Sequence, residues 1–436
     1  MIRFAPGAAF SMQAYQLMRV GSAIGVSVLL AKSGLSAGEI GRYEALLYVG
    51  STLSVFAVNG LLQAISPLYA RLGEAERPAF LFQVFALFCA LAAALFGVWV
   101  WGEGLITPAL TGLDRLPHFR LYGVYLLLHL PVYPLEYIFL LRGRHVALLW
   151  WGLTGFGLYA AAVFVPAYMG YGLGGSIGAL AALAFGRLLW AVVVVWRHAR
   201  PHPPPFAHWT AYLRFAWPLS LNMLAGSAVV LFDLWLVAQY YRDERIFAIY
   251  RYGARELPLA LALATALGAA LVPLLSERPA AGMAELRRRG RRMMGIAFGF
   301  ALILMPWTDT LFRVAFNPEF AEAAPIFQIC LLLTASRVLL PNAVALSIGR
   351  PRWIFGVGMA ELGVKIALGF WLIRVAGLEG VAWSMIIAFF DEKAGLIWLL
   401  ERRAGIRTGA WLDLRAYAVW TLALLAAYFV SRGGLG

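Results

Sequence analysis

Thirteen apolar stretches of roughly membrane-crossing length leave this chain few options. A helix crosses the hydrocarbon core in about 20 residues. Stretches of that order run near 10–31, 43–70, 79–101, 120–141, 146–168, 173–196, 211–240, 247–275, 292–314, 324–348, 353–375, 378–400 and 412–431. Twelve spans remain if the last does not cross. Composition agrees, at 62% hydrophobic and only 13% charged, about half the roughly 25% charge of a soluble domain. So little polar surface cannot cover a soluble globule. A soluble enzyme, a secreted disulfide scaffold and a disordered tail are excluded. The expected fold is all-α and polytopic in the membrane. Met1–Ala9 carries one basic residue and no clear cleavage signal, so the first stretch reads as a retained span.

The net charge of +14 needs a topological reading before any other. With the N-terminus inside, the segments between spans hold 18 basic residues on the cytoplasmic side and 9 outside. That twofold excess obeys the positive-inside rule and sets the orientation. The arginines at 287–292 then read as a juxtamembrane basic loop at the anionic inner leaflet, where each is worth about 1 kcal/mol. They do not read as a nucleic-acid patch, and no nucleic-acid partner is expected. His202 and His208, with His198 just before, sit in a proline-rich stretch that reads as a stiffened linker rather than a metal site. Cys89 and Cys330 lie inside apolar runs and read as buried thiols. No cofactor or metal is expected.

An internal repeat appears at a period near 206. LLAKSGLSAGEIGRYEALLY lies over LVAQYYRDERIFAIYRYGAR, and LLQAISPLYARL over LGAALVPLLSER. Both halves carry a span ending in Gly-Arg, at Gly143-Arg144 and Gly349-Arg350. Gly172-Leu173-Gly174-Gly175 answers Gly377-Leu378-Glu379-Gly380 at the turn into the sixth span of each half. Six spans per half gives both halves the same orientation. Parallel repeats of that kind place a substrate path between two lobes. The expected layout is an N-lobe at 1–200, a cytoplasmic linker at 201–210, a C-lobe at 211–403 and an added thirteenth helix within 404–436.

These features carry a family resemblance. The six-plus-six order, the first-hairpin pattern ending G-L-S-x-x-E-I-G-R-Y, the Gly-Arg after the fourth span and the G-L-x-G before the sixth resemble the multidrug/oligosaccharidyl-lipid/polysaccharide (MOP) exporter superfamily. Within it, IFAIYRYGARELPLALALATALGAALVPLLSE is most similar to the Wzx-type polysaccharide flippases. The resemblance covers residues 10 to 400.

Ionisable groups within spans are costly and point to function by default. The deep basic residues are Arg19, Arg187, Arg251, Arg255, Arg337, Lys365 and Lys393; the deep acids are Glu136, Asp233, Glu256, Glu361, Asp391 and Glu392. Glu361 and Lys365, four apart on one helix, read as a mutually neutralising pair. Asp391, Glu392 and Lys393 are consecutive and point in different directions, which leaves structural pairing and ion binding both open. Arg251 and Arg255 share an i, i+4 spacing that stacks two like charges on one helix face. An anion or a carboxylate must then lie nearby, and Asp233 is at a depth that would allow an Asp233–Arg255 bridge. Arg19 is near mid-depth with no acid in its own span, which points it at a cavity and a phosphate-bearing substrate. His129 reads as a packed, hydrogen-bonded histidine. Pro131, Pro134, Pro218, Pro258, Pro273 and Pro341 read as static kinks or as hinges.

The resemblance implies more. Lipid II flippases, which are related, carry cavity arginines on their first, second and eighth helices. Arg19 matches the first, and Arg251 or Arg255 the eighth; the second span, Tyr43 to Ala70, has no basic residue. That departure favours a polyprenyl-linked sugar other than lipid II. The implied function is translocation of a polyprenyl-pyrophosphate-linked oligosaccharide, of the undecaprenyl type, from the cytoplasmic to the outer leaflet of a bacterial cytoplasmic membrane. Arg19, Arg251 and Arg255 would hold the pyrophosphate. Asp233, Glu136 and Glu256 would serve ion coupling or charge pairing. Membrane lipids and other polysaccharide-assembly proteins are the implied partners. The alternative is a MATE-type cation or drug antiporter, which calls for a more acidic cavity. An enzyme is not expected, because the longest outer loop, 102–119, holds Glu103, Asp114 and His118 but no recognisable motif.

Overall fold

The computed structural model describes residues 7–198 and 209–433, and the linker expected at 201–210, with His202 and His208, lies almost wholly outside them. Every regular element among the described residues is helical. By packing, the chain forms two units: one holds the described residues up to Ser227 together with Ala238–Ala248, the other Ala228–Val237 and the described residues from Ile249 onward.

The first unit contains α1 (Ala8–Ala31), α2 (Ala37–Arg71), α3 (Arg77–Trp101), α4 (Glu103–Thr111), α5 (Phe119–His129), α6 (Leu135–Leu141), α7 (His145–Tyr168) and α8 (Gly172–His198), with most of α9 (Trp209–Tyr241) and the start of α10 (Glu244–Gly253). α2 starts on a capping box, in which the Ser36 hydroxyl accepts from the Glu39 amide and the Glu39 carboxylate accepts from the Ser36 amide. The fourth expected span is one path in three pieces. Pro131 and Pro134 bring no amide proton, so the helix tightens to a 3-10 turn over Leu130–Val132 before resuming as α6. Trp99 stacks on Phe119 at 4.2 Å and donates its indole N–H to the Phe119 carbonyl at 2.8 Å, tying α3 to the start of α5.

Glycines set the closest crossings in this unit. A Cβ on Gly41 would overlap the Glu244 carbonyl, and one on Gly60 would overlap Ser220. Arg42 pairs with Glu244 at 3.1 Å beside the first crossing. Because the obstacle at Gly41 is backbone rather than a side-chain tip, Gly41→Ala must push two helices apart. We expect a loss at the upper end of the roughly 1–3 kcal/mol typical of overpacking, read as a lower thermal midpoint in detergent. Gly38→Ala, where a Cβ meets nothing within 4 Å, should leave the midpoint unchanged.

The second unit continues with α11 (Pro258–Glu277), α12 (Pro279–Leu304), α13 (Thr308–Leu311), α14 (Ala324–Leu331), α15 (Leu333–Arg337), α16 (Pro341–Ser347), α17 (Pro351–Ala404), α18 (Thr408–Trp411) and α19 (Leu414–Gly433). The long α17 divides at Gly377, whose φ of 58° and ψ of -136° are not helical. A Cβ on Gly380 would overlap the Leu372 carbonyl, so the two halves fold tightly on each other there. They match the expected spans 353–375 and 378–400. Two expectations are corrected. The eighth span is not one helix: α10 stops at Gly253 and α11 starts at Pro258, with Ala254–Leu257 outside both. The basic stretch 287–292 is not a loop but part of α12, with Arg288 and Arg289 on Glu285 and Arg291 3.6 Å from Asp413.

The expected repeat recurs as backbone conformation. Gly143 (φ 68°) and Gly349 (φ 71°) both take the left-handed form that glycine alone adopts freely. In each, the glycine amide and the following arginine amide turn back on the helix: Gly143 to Leu140 and Arg144 to Phe139, Gly349 to Leu346 and Arg350 to Ala345, at 2.8–3.1 Å. These are two copies of one Schellman cap. Gly172 (φ 63°) and Gly377 (φ 58°) repeat the match further on.

Among the described residues, ten helices are long and apolar enough to cross a membrane, or eleven with the bent α2. The merged α17 supplies two of the expected spans, and the remainder of the expected set falls on α9. This is a multi-pass membrane protein.

Candidate functional site

Small residues in α7 open space that large side chains from α1 and α8 fill. A Cβ on Gly152 would sit 2.8 Å from the Tyr15 ring, and one on Gly155 would sit 2.9 Å from a terminal nitrogen of Arg187. Arg187 therefore lies in a trough in α7, its guanidinium 4.4 Å above the Trp151 ring. That geometry is a cation–π contact.

Beside it is a cavity of about 330 Å³ within the first unit, lined by Arg19, Arg187, Glu136, Tyr15, Tyr133 and His129 among others. Its charged residues are two arginines and one glutamate. Glu136 is 3% exposed; the Tyr15 hydroxyl is directed at it, and both Arg19 and Arg187 act on it through space. On α5 and its 3-10 continuation, Tyr125 stacks on His129 at 4.9 Å, and His129 meets Tyr133 edge-on at 5.1 Å. His129 is thus packed among rings. Tyr43 and Tyr159 share a hydroxyl–hydroxyl hydrogen bond of 2.7 Å nearby. The cavity wall is aromatic and hydroxyl-bearing, with a positive balance if all three charged groups ionise. Such a surface favours an anion over a cation.

In the second unit six of the deep charges form three pairs, in combinations other than those expected, while Glu361 is buried with its Oε1 unpartnered among the described residues. Lys365 Nζ lies 2.9 Å from Asp233 Oδ2, with the two side chains 0% and 4% exposed. The expected Glu361–Lys365 and Asp233–Arg255 pairs are both replaced by this one. Gly369, one turn further along α17, makes the approach possible, because a Cβ there would lie 2.9 Å from the Phe232 ring. Glu256 receives a two-pronged contact from Arg337, with Nε donating to Oε2 at 2.8 Å and Nη2 donating to Oε1. The Arg337 guanidinium also lies 4.0 Å over the Phe389 ring. Lys393 Nζ is 2.7 Å from Glu392, and Asn342 bridges the two.

Arg251 and Arg255 do not stack on one helix face, because the break between α10 and α11 falls at Arg255. Arg255 Nε donates to the Arg251 carbonyl at 3.4 Å, at the open end of α10, and its guanidinium lies 4.8 Å over Tyr252. A cation at a helix C-terminus is a favourable placement. Among the described residues, no group of three or more His, Cys, Asp or Glu side chains is placed to hold a metal ion.

The sequence pointed Arg19 at a cavity and counted Glu136 among the deep acids, and both line the same cavity. It counted Arg187 among the deep bases without assigning it a role. The available signal was the glycine pair Gly152 and Gly155, spaced to put a groove on one helix face, but nothing local says which side chain fills a groove.

The fold is the all-α polytopic architecture also seen in solved lipid flippase and multidrug transporter structures. The chain aligns over 95% of its length, and 91% of the other, with a structure described as lipid II flippase MurJ in an inward closed conformation, at a TM-score of 0.70 and 15% identity. An inward-facing multidrug resistance MATE family transporter of the MOP superfamily matches at 0.55 and 14% identity, over 92% of this chain and 99% of that one. MATE transporter ClbM in complex with Rb+ matches at 0.50 and 15%, over 95% of each. No family model and no curated protein matches the sequence.

Proposed function

We propose that this protein is a flippase of the Wzx type. It moves a polyprenyl-pyrophosphate-linked oligosaccharide from the cytoplasmic to the outer leaflet of a bacterial cytoplasmic membrane by alternating access, for surface polysaccharide synthesis. The observation that carries the reading is the cavity of the first unit, where two arginines face one carboxylate within a tyrosine-rich wall. A pyrophosphate has no stable place in hydrocarbon, so a protein that moves it must offer an enclosed polar path with cations along it. Arg19 holds the pyrophosphate, with Arg251 and Arg255 as further contacts along its route. Glu136 resets the empty cavity by giving the arginines an internal counter-charge. Asp233 and Glu256 act as charge partners, since Lys365 and Arg337 already occupy them.

The same pairing weighs against a MATE-type cation antiporter that works through Asp233 or Glu256, since each is already held by a cation. Cells lacking this protein should accumulate the lipid-linked oligosaccharide with its glycan inaccessible from outside, and wild-type protein should restore export. Unchanged surface glycan with no accumulation, accompanied by loss of cationic-dye efflux, would transfer the assignment to the antiporter.

A further inference from the structure

We propose that Arg187 is a further diphosphate-binding residue, reaching the anion from α8 as Arg19 does from α1. The inference rests on the flippase reading and adds a residue that the sequence left without a role.

Three observations carry it. First, the guanidinium is held but not used. Among the described residues Arg187 makes no ion pair and no hydrogen bond, and its Nε is buried without an acceptor. Arg187 is half-buried, and a cation drawn out of water with a buried N–H lacking an acceptor is expensive until a ligand completes it. Second, its position is fixed in advance. Trp151 supports one face at 4.4 Å, and Gly155 leaves a trough that any Cβ would close to 2.9 Å from the guanidinium. A side chain held this way loses little further freedom when it binds. Third, it shares the cavity with Arg19 and Glu136. The nearest fixed acid acts on both arginines through space but forms an ion pair with neither. An anion of two or more charges, with several oxygens that planar forks can grip in bidentate fashion, satisfies both. A diphosphate meets that requirement; a carboxylate supplies too few oxygens for two forks.

Affinity of the purified full-length protein for undecaprenyl pyrophosphate, for undecaprenol and for inorganic pyrophosphate tests this. Wild type should prefer the pyrophosphate lipid to the alcohol. Arg187→Lys keeps the charge but loses the fork and the stacking on Trp151. It should weaken pyrophosphate-lipid binding about tenfold, the scale of one charge-assisted contact, and leave binding of the alcohol unchanged. Gly155→Ala removes no charge, yet it displaces the guanidinium, and it should weaken the same ligand in the same direction. Glu136→Gln should tighten it several-fold by removing the competing carboxylate.

Unchanged affinity in Arg187→Lys and Gly155→Ala, both with wild-type thermal midpoints, overturns the proposal. A lowered midpoint with unchanged affinity assigns Arg187 to packing alone and overturns it equally. Should the protein bind inorganic pyrophosphate through Arg187 but not the lipid, the anion site stands and the flippase reading falls. Should it bind the lipid without dependence on Arg187, the flippase reading stands and the Arg187 site falls.

Discussion

Lys365→Met should cost this protein about 3–5 kcal/mol, the loss typical of removing one partner from a buried ion pair. Lys365 and Asp233 are 0% and 4% exposed and sit 2.9 Å apart, so the lost lysine leaves a carboxylate sealed away from water. The Tyr250 hydroxyl is directed at that carboxylate but brings no charge to it. The expected result is a large drop in the detergent thermal midpoint and poor recovery of folded protein. Lys365→Met combined with Asp233→Leu removes both charges, and buried pairs replaced by apolar groups of similar size are often neutral. The double variant should therefore recover most of the loss. A double variant as unstable as the single one would mean that the pair is not the source of the effect. If the double variant also exports glycan, the pair is structural; if it is stable but inactive, the pair takes part in transport.

Arg19→Ala carries the largest functional effect. Arg19 lines the cavity, is exposed rather than packed away and makes no hydrogen bond or ion pair among the described residues. Its removal therefore breaks nothing that holds the fold. A charge-assisted hydrogen bond is worth roughly 1.5–3 kcal/mol, and a two-pronged contact with a diphosphate makes two. Substrate affinity should fall at least about a hundredfold and export should drop to background, while the thermal midpoint stays close to that of wild type. Arg19→Lys should retain part of the export, since the charge survives but the fork does not. Normal export by Arg19→Ala at normal expression would remove Arg19 from the substrate path.

How much of this is legible in the sequence depends on the range of the cause. The spans are legible because apolar length is a local property. The Gly143 and Gly349 caps are legible because a left-handed turn at a helix end depends on a single glycine. Residue pairing in the second unit is not. Glu361 and Lys365 satisfy the i, i+4 rule, worth at most about 0.5 kcal/mol. Asp233 reaches Lys365 from another helix, where Gly369 permits close approach and burial raises the cost of leaving either charge alone. A local rule therefore selects the wrong acid. The broken eighth span shows the same limit from the other side. Pro258 announces a disturbance, but pattern alone does not tell a kinked helix from two helices. Arg187 is visible as a charge and invisible as a site, because its socket is built by residues on a different helix.

The gap between α10 and α11 also bears on the order in which the chain assembles. A membrane helix can be threaded in alone, since its peptide groups are satisfied within it. Across Ala254–Leu257 the helical ladder stops, although the amides of Ala254 and Arg255 turn back on Tyr250 and Gly253. Their neighbourhood is completed by distant chain, with Gly253 lying so close to the start of α14 that a Cβ would be 2.7 Å from the Ala323 carbonyl. Ala323 is synthesised well after Gly253. This span is therefore completed only when later helices arrive, and its insertion should depend on machinery that holds segments back from lipid.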